Sequence, residues 1–206
     1  MRYIYPPRPV GKTTFTDLSF FEKSGDWIVQ RKYNGTRNLI YRDMTGKISF
    51  FNRHGSLQNG FSPRNSLMES IKLLNFKNNI EYVLDSELMK RTSHNESFLV
   101  LFDILVDGNY LFNNPDQMGR LEVLHKLCGK PKEETIWGYK IGDGLYLARY
   151  WENNFLAEYE NVIKISEIEG LMLRKKTSGL DNYGYREYCT STQVRCRKQK
   201  LNGYNF

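Results

Sequence analysis

The chain has 206 residues, 40% of them hydrophobic, which is enough to bury one full core and short for two, so one folded domain over residues 1–206 is expected. Thirty Lys and Arg against 23 Asp and Glu leave a net charge of +7, which suits polyanionic partners such as nucleic acid or nucleotide phosphates, and equally ordinary solubility. Cys128, Cys189 and Cys196 form no CxxC pair, which argues against a zinc site or disulfide frame and fits a reducing cytoplasm; no apolar run near 18 residues and no basic-plus-apolar start argue against a membrane span or signal peptide.

In chain order, the stretch through Thr14 carries Pro6, Pro7 and Pro9 and is expected to lie extended over the surface. Strand signals follow. Trp27–Tyr33 and Arg37–Tyr41 flank Asn34-Gly35, and Lys47–Phe51 follows Thr45-Gly46, which predicts a run of antiparallel pairing. Glu81–Leu88 and Ser97–Leu105 read as two further strands. Leu67, Ile71 and Leu74 predict a helix over 66–76, and Leu121, Leu124 and Cys128 another over 117–128, both as covers for a sheet. Glu169–Arg174 and Gln193–Arg197 close the chain as strands around a glycine- and tyrosine-rich stretch, 177–188. Helices interspersed among largely antiparallel strands predict the α+β class.

Lys32 is the residue that points to chemistry. A free lysine is neutral in only about one molecule in a few thousand at pH 7, so a nucleophilic one needs burial or nearby positive charge, for which Arg31, Arg37 or a metal are candidates. Asn34-Gly35 is also the commonest two-residue hairpin signal, which would leave Lys32 as an exposed strand end; the segment alone leaves both readings open. Asp85-x-Glu87 puts two carboxylates on one strand face, as a ribose clamp or metal site needs. Arg53-His54-Gly55 offers a guanidinium after a strand, Phe102 a ring that stacks on a base or packs in the core, Glu169 a carboxylate at a strand start, and Arg195-x-Arg197 two cations on one face. His54, His94 and His125 are too scattered for a metal cluster.

Taken in order, Lys32-x-Asn34-Gly35-x-Arg37, Arg53-x-Gly55, Asp85-x-Glu87-Leu88, Phe102-Asp103, Glu169-Gly170-Leu171-Met172 and Arg195-x-Arg197 resemble the motifs of ATP-dependent polynucleotide ligases, above all DNA ligases. These belong to the covalent nucleotidyltransferase superfamily that also holds the capping guanylyltransferases. The resemblance implies an ATP-grasp-like fold of two antiparallel β-sheets flanked by helices, with the nucleotide cleft between them. It covers a single adenylation domain, 1–206, with no room for an oligonucleotide-binding barrel. By the same resemblance Lys32 attacks the α-phosphate of ATP; Arg37 and Arg53 hold phosphate, sugar or nucleic-acid ends; Glu87 serves the ribose and a metal; Phe102 stacks on adenine; and Glu169 positions Mg2+ or Mn2+. Arg195 and Arg197 stand where the family usually has two lysines for the α-phosphate, with Lys198 and Lys200 as a rival register. Asn34 replaces the usual aspartate, which removes a charge beside the nucleophile and loosens the assignment to DNA ligases in particular. The implied partner is nicked duplex DNA, in repair or replication, for a monomer with no membrane contact. RNA or hybrid substrates, a capping-type activity with GTP, and a nucleic-acid-binding homologue without catalysis stay open.

Overall fold

The computed structural model describes residues 2–91, 96–111, 115–180 and 184–198. It is an α+β protein with four α-helices among the described residues and two sheets, each the centre of its own compact unit.

The first unit comprises 1–7, 35–149 and 179–188. Its sheet is built from β3 (Thr36–Arg42), β4 (Ile48–Asn52), β5 (Tyr82–Arg91), β6 (Glu96–Asp107), β7 (Asn109–Tyr110), β8 (Glu133–Thr135), β9 (Gly138–Gly142) and β10 (Leu145–Leu147), in the order β4-β3-β5-β6-β10-β9-β8 with β7 beside β6. Alternation sorts the two faces. Ile40, Leu84, Leu88, Leu99 and Leu101 point to α2 (Asn65–Lys72) and α3 (Gln117–Cys128), whose Leu67, Ile71, Leu124 and Leu127 complete a core, so both helices cover the sheet as expected. Leu39, Tyr41 and Val83 point the other way, against Ile4 and Leu180. Asp116 starts α3 by accepting from the Gly119 amide at 2.9 Å, and Gly129, at φ 72°, ends it.

The second unit comprises 8–34, 150–178 and 189–206. Its five-stranded sheet runs β1 (Arg8–Thr13), β13 (Cys189–Arg197), β12 (Ile168–Lys175), β2 (Trp27–Tyr33), β11 (Tyr150–Trp151). Two helices, α1 (Leu18–Lys23) and α4 (Phe155–Val162), pack on one face through Leu18, Phe155, Tyr159 and Val162. Glu22 of α1 accepts from the Asn154 and Phe155 amides at 2.8 and 3.0 Å, satisfying donors at the α4 N-terminus.

Three expectations change. The sheets are mixed, because β1 pairs β13 and β10 pairs β6 in parallel. The proline-rich start is not a surface strap: Ile4, Pro6 and Pro7 are buried, and Arg8–Thr13 is an edge strand, the place in a sheet where Pro9 can sit without breaking a ladder. Asn34-Gly35 is not a hairpin turn, since β2 and β3 belong to different sheets and neither residue adopts the positive φ that a two-residue hairpin demands. Gly35 serves close approach instead: a Cβ there would lie 2.5 Å from the Leu88 carbonyl oxygen and 2.8 Å from the Glu87 side chain.

Candidate active site

On the second unit, three strands bring Lys32, Gly170 and Arg197 into one cross-strand row, and the neighbouring row carries Gln30, Met172, Arg195 and, from β1, Lys12. Direct cross-strand partners share a face. This face therefore presents Lys32, Arg195 and Arg197, while Val194 and Cys196 point to the buried side, the alternation expected from the sequence.

The β2–β12 ladder slips by one residue between Ile168 and Gly170, which makes Glu169 the bulged residue. Its carboxylate forms an ion pair with the Lys32 ammonium and lies 3.6 Å from Arg197 Nε. Gly170 makes this possible. At φ 145° it occupies a conformation few side chains tolerate, and a Cβ there would strike the Cys196 carbonyl and lie 2.8 Å from Arg197 Cα. The Lys32 and Glu169 side chains are 18% and 21% exposed, so the pair is sheltered yet reachable by a ligand. Arg195 Nε is buried without a hydrogen-bond partner.

Arg31 does not supply charge beside Lys32. As the next residue on β2 it points to the opposite face, where it pairs with buried Glu158 of α4 at 2.7 Å and lies over the Trp151 ring. Lys198 follows β13; its amine donates to the Ile165 carbonyl, its backbone amide donates to the Glu169 carbonyl at 2.9 Å, and burial lowers its pKa, an effect Glu167 opposes. Lys200, the other member of the rival register, and His94 lie outside the described residues.

On the first unit, Arg37, Asp85, Glu87 and Phe102 gather on the sheet face opposite α2 and α3. Arg37 donates from Nε to Asp85 Oδ1 at 2.9 Å, from Nη2 to Asp85 Oδ2, and from Nη1 to the Pro7 carbonyl at 2.8 Å, and its guanidinium sits 5.6 Å from the Phe102 ring centre. Burial opposes the Arg37 charge, but the carboxylates around it, Asp85 foremost with Glu87 and Asp103, together outweigh it, so the arginine pKa is raised. Glu87 stands directly across the ladder from Arg37. The two carboxylates lie inside β5 rather than at its end, because the strand continues to Arg91. Phe102 is 8% exposed and is the extra residue where the β5–β6 ladder slips opposite Asp85 and Ser86.

The anchor of that bulge is a buried cluster in which Asp103, of the Phe102-Asp103 motif, meets two residues outside the motif set, Gln117 and Arg120. Asp103, fully buried, accepts from Arg120 Nε at 3.0 Å, from Arg120 Nη2 at 3.3 Å and from the Ile104 amide at 2.9 Å, while Arg120 Nη2 also donates to Gln117 Oε1 at 2.9 Å. A signal existed: Gln117 and Arg120 stand four residues before Leu121 and Leu124, on the helix face that should be apolar. Arg53 is exposed beyond β4, and its Nε donates to His54 Nε2 at 3.0 Å.

No family model matches this chain, and no curated protein matches it in sequence. Solved structures do match its fold. The ligase domain of M. tuberculosis LigD superposes with a TM-score of 0.65 at 15% identity, over 93% of this chain and 58% of that one. A mycobacterial DNA ligase D complexed with ATP and MES gives 0.67 at 16% identity, over 94% and 60%. The chain shares the fold of these ligase domains. A Lig E DNA ligase aligns with a TM-score of 0.53 at 15% identity, over 95% of this chain and 70% of that one. This chain thus spans about three fifths of the length of the two LigD structures. Among the described residues no three His, Cys, Asp or Glu side chains converge as a metal-binding group, and no helix is long and apolar enough to cross a membrane.

Proposed function

We propose that residues 1–206 act as one adenylation domain of an ATP-dependent polynucleotide ligase, with Lys32 as the nucleophile. The observation that carries this reading is the row in which the Lys32 amine, the Glu169 carboxylate and the Arg197 guanidinium meet on one sheet face. Likeness of fold to DNA ligases supports it.

The deprotonated Lys32 amine attacks the α-phosphorus of ATP; an N–P bond forms and the nitrogen gives up a proton to water, the bond from that phosphorus to the oxygen bridging to the β-phosphate breaks, and pyrophosphate leaves. A 5′-phosphate oxygen of the nucleic acid then attacks the same phosphorus, the N–P bond breaks and the amine regains a proton. A 3′-hydroxyl finally attacks the 5′-phosphorus, loses its proton and expels AMP. Glu169, already an acceptor for the Lys32 ammonium, holds the amine in place, and Arg195 and Arg197 neutralise charge on the phosphate oxygens. Glu169 is a half-buried hard oxygen donor and fits Mg2+ or Mn2+, which bind through one or two carboxylates plus substrate phosphates rather than an all-protein cage. Such an ion supplies charge neutralisation at the phosphate when bound. Phe102 takes the adenine, Glu87 the ribose or a second contact to the metal, and Arg37 and Arg53 phosphate or sugar; these roles rest on the resemblance. The substrate is a nick in duplex DNA, ahead of RNA or hybrid nicks, for a monomer working in the cytoplasm.

Incubation with labelled ATP and Mg2+ leaves AMP on the wild-type chain, through a bond that survives alkali and is cleaved by acid, and none on Lys32→Ala. Sealing of matched DNA, RNA and hybrid nicks then ranks the substrates. Labelling from GTP alone would assign a capping-type transferase, and salt-sensitive duplex binding without any adduct would assign a binding protein that has lost catalysis.

A further inference from the structure

Arg53 does not stand alone on its surface, because three separate segments of the first unit meet around it. His54 accepts from Arg53 through Nε2, so its Nδ1 carries the hydrogen and donates to Glu187 Oε1 at 2.7 Å, tying the turn after β4 to segment 184–188. That segment is tied in turn to the N-terminus, since the Gly184 carbonyl accepts from the Tyr5 amide at 2.6 Å and Arg2 lies 4.1 Å from the centre of the Tyr185 ring. The N-terminus closes the circuit: Tyr3 donates to the Asn52 carbonyl at 2.6 Å, and a Cβ on Gly55 would sit 3.2 Å from the Tyr3 ring.

The side chains displayed by this arrangement are unlike an ordinary solvated face. Arg2, Arg53, His54, Tyr185 and Arg186 are all exposed, and Glu187, the acid among them, is held by His54. Tyr185 leaves 43% of its surface to solvent, and stacking with Arg2 orders both groups before any ligand arrives. Exposed guanidiniums on a fixed framework beside an exposed ring are what backbone phosphates and an unstacked base require.

We propose that this surface binds a nucleic-acid strand, with Arg2 and Arg186 on successive phosphates and Tyr185 against a sugar or base, extending the grip that Arg53 begins. The proposal rests on the ligase reading for its choice of nucleic acid over another polyanion. It assigns the surface to substrate binding and gives it no part in the transfer of AMP to Lys32.

Binding of the full chain to a short nicked duplex, followed by fluorescence anisotropy over a salt series, tests it. The double variant Arg2→Gln with Arg186→Gln should bind about tenfold more weakly at low salt. Its plot of log affinity against log salt should be shallower by about 0.9 for each phosphate that is no longer neutralised, or about 2 for the pair. Tyr185→Ala should weaken binding with an unchanged salt slope, and Tyr185→Phe should restore it. AMP labelling of Lys32 should stay within about twofold of wild type in all three, which also shows that the variants fold. Unchanged affinity and slope in the double variant would overturn the assignment, as would equal binding of polyglutamate and duplex at the same salt. A wild-type chain that binds duplex through these residues but takes no AMP would leave this surface standing and remove the ligase reading.

Discussion

Two groups of charged residues, one in each unit, are built differently, although Arg31 and Glu158 of the second unit also form a matched pair. In the first, Arg37 and Arg120 are each matched by a fully buried carboxylate, Asp85 and Asp103, with several hydrogen bonds to each pair. In the second, the Glu169 carboxylate pairs with Lys32 and lies 3.6 Å from Arg197 Nε, Arg195 Nε has no hydrogen-bond partner, and the Lys32–Glu169 pair stays within reach of solvent. A fully matched, dry ion pair holds a shape, because removing either member strands a charge out of water. The contrast sets dry pairs that hold the platform in shape against an ion pair that a ligand can reach.

The strongest test of that contrast is Lys32→Ala, which should abolish AMP labelling while leaving the thermal midpoint close to wild type, since a half-buried lysine near a strand end contributes little packing. Arg120→Met should do the reverse, costing about 3–5 kcal/mol in denaturant melts by leaving Asp103 buried and unpaired. Adding Asp103→Leu should recover much of that loss; no recovery would mean the pair contributes specific bonding beyond charge balance. Glu169→Ala should slow the metal-dependent steps at least about a hundredfold, and near-wild-type sealing would remove Glu169 from the site. Gly170→Ala should cost more than about 2 kcal/mol and loosen the Lys32 row, because its positive φ and the Cys196 carbonyl both oppose a Cβ. The smallest effect concerns thiols. Burial pushes Cys128 and Cys196 up to about 12, so both stay protonated and unreactive near pH 8, and a thiol reagent should modify exposed Cys189 first and all three only on unfolding.

Much of the platform was legible. The pattern placed β2 at Trp27–Tyr33 and α3 at Gln117–Cys128 with the bounds the structure has, β2 from its β-branched and aromatic residues and α3 from the spacing of Leu121, Leu124 and Cys128. The spacing of Phe155, Tyr159 and Val162 carries the helical pattern of α4 as well. β8, β10 and β11 have two or three residues each and leave no periodicity to read; their pairing exists only once β2, β6 and β9 are in place. Within the site, strict alternation along β2 could have excluded Arg31 as a neighbour of Lys32, since consecutive strand residues face opposite ways.

The sequence by itself determined the residue types and their order: an amine before Asn34-Gly35, a carboxylate before a glycine at 169–170, and two arginines alternating with buried residues near the end. It also determined that these lie on strands, because period-two patterning is local. Only the tertiary structure decided that Asn34-Gly35 passes from one sheet to the other instead of closing a hairpin, and that residues 137 positions apart, Lys32 and Glu169, become an ion pair. The physical reason is that a one-residue slip in a ladder and a glycine that lets two backbones touch are settled by the partner strand, which no local window contains.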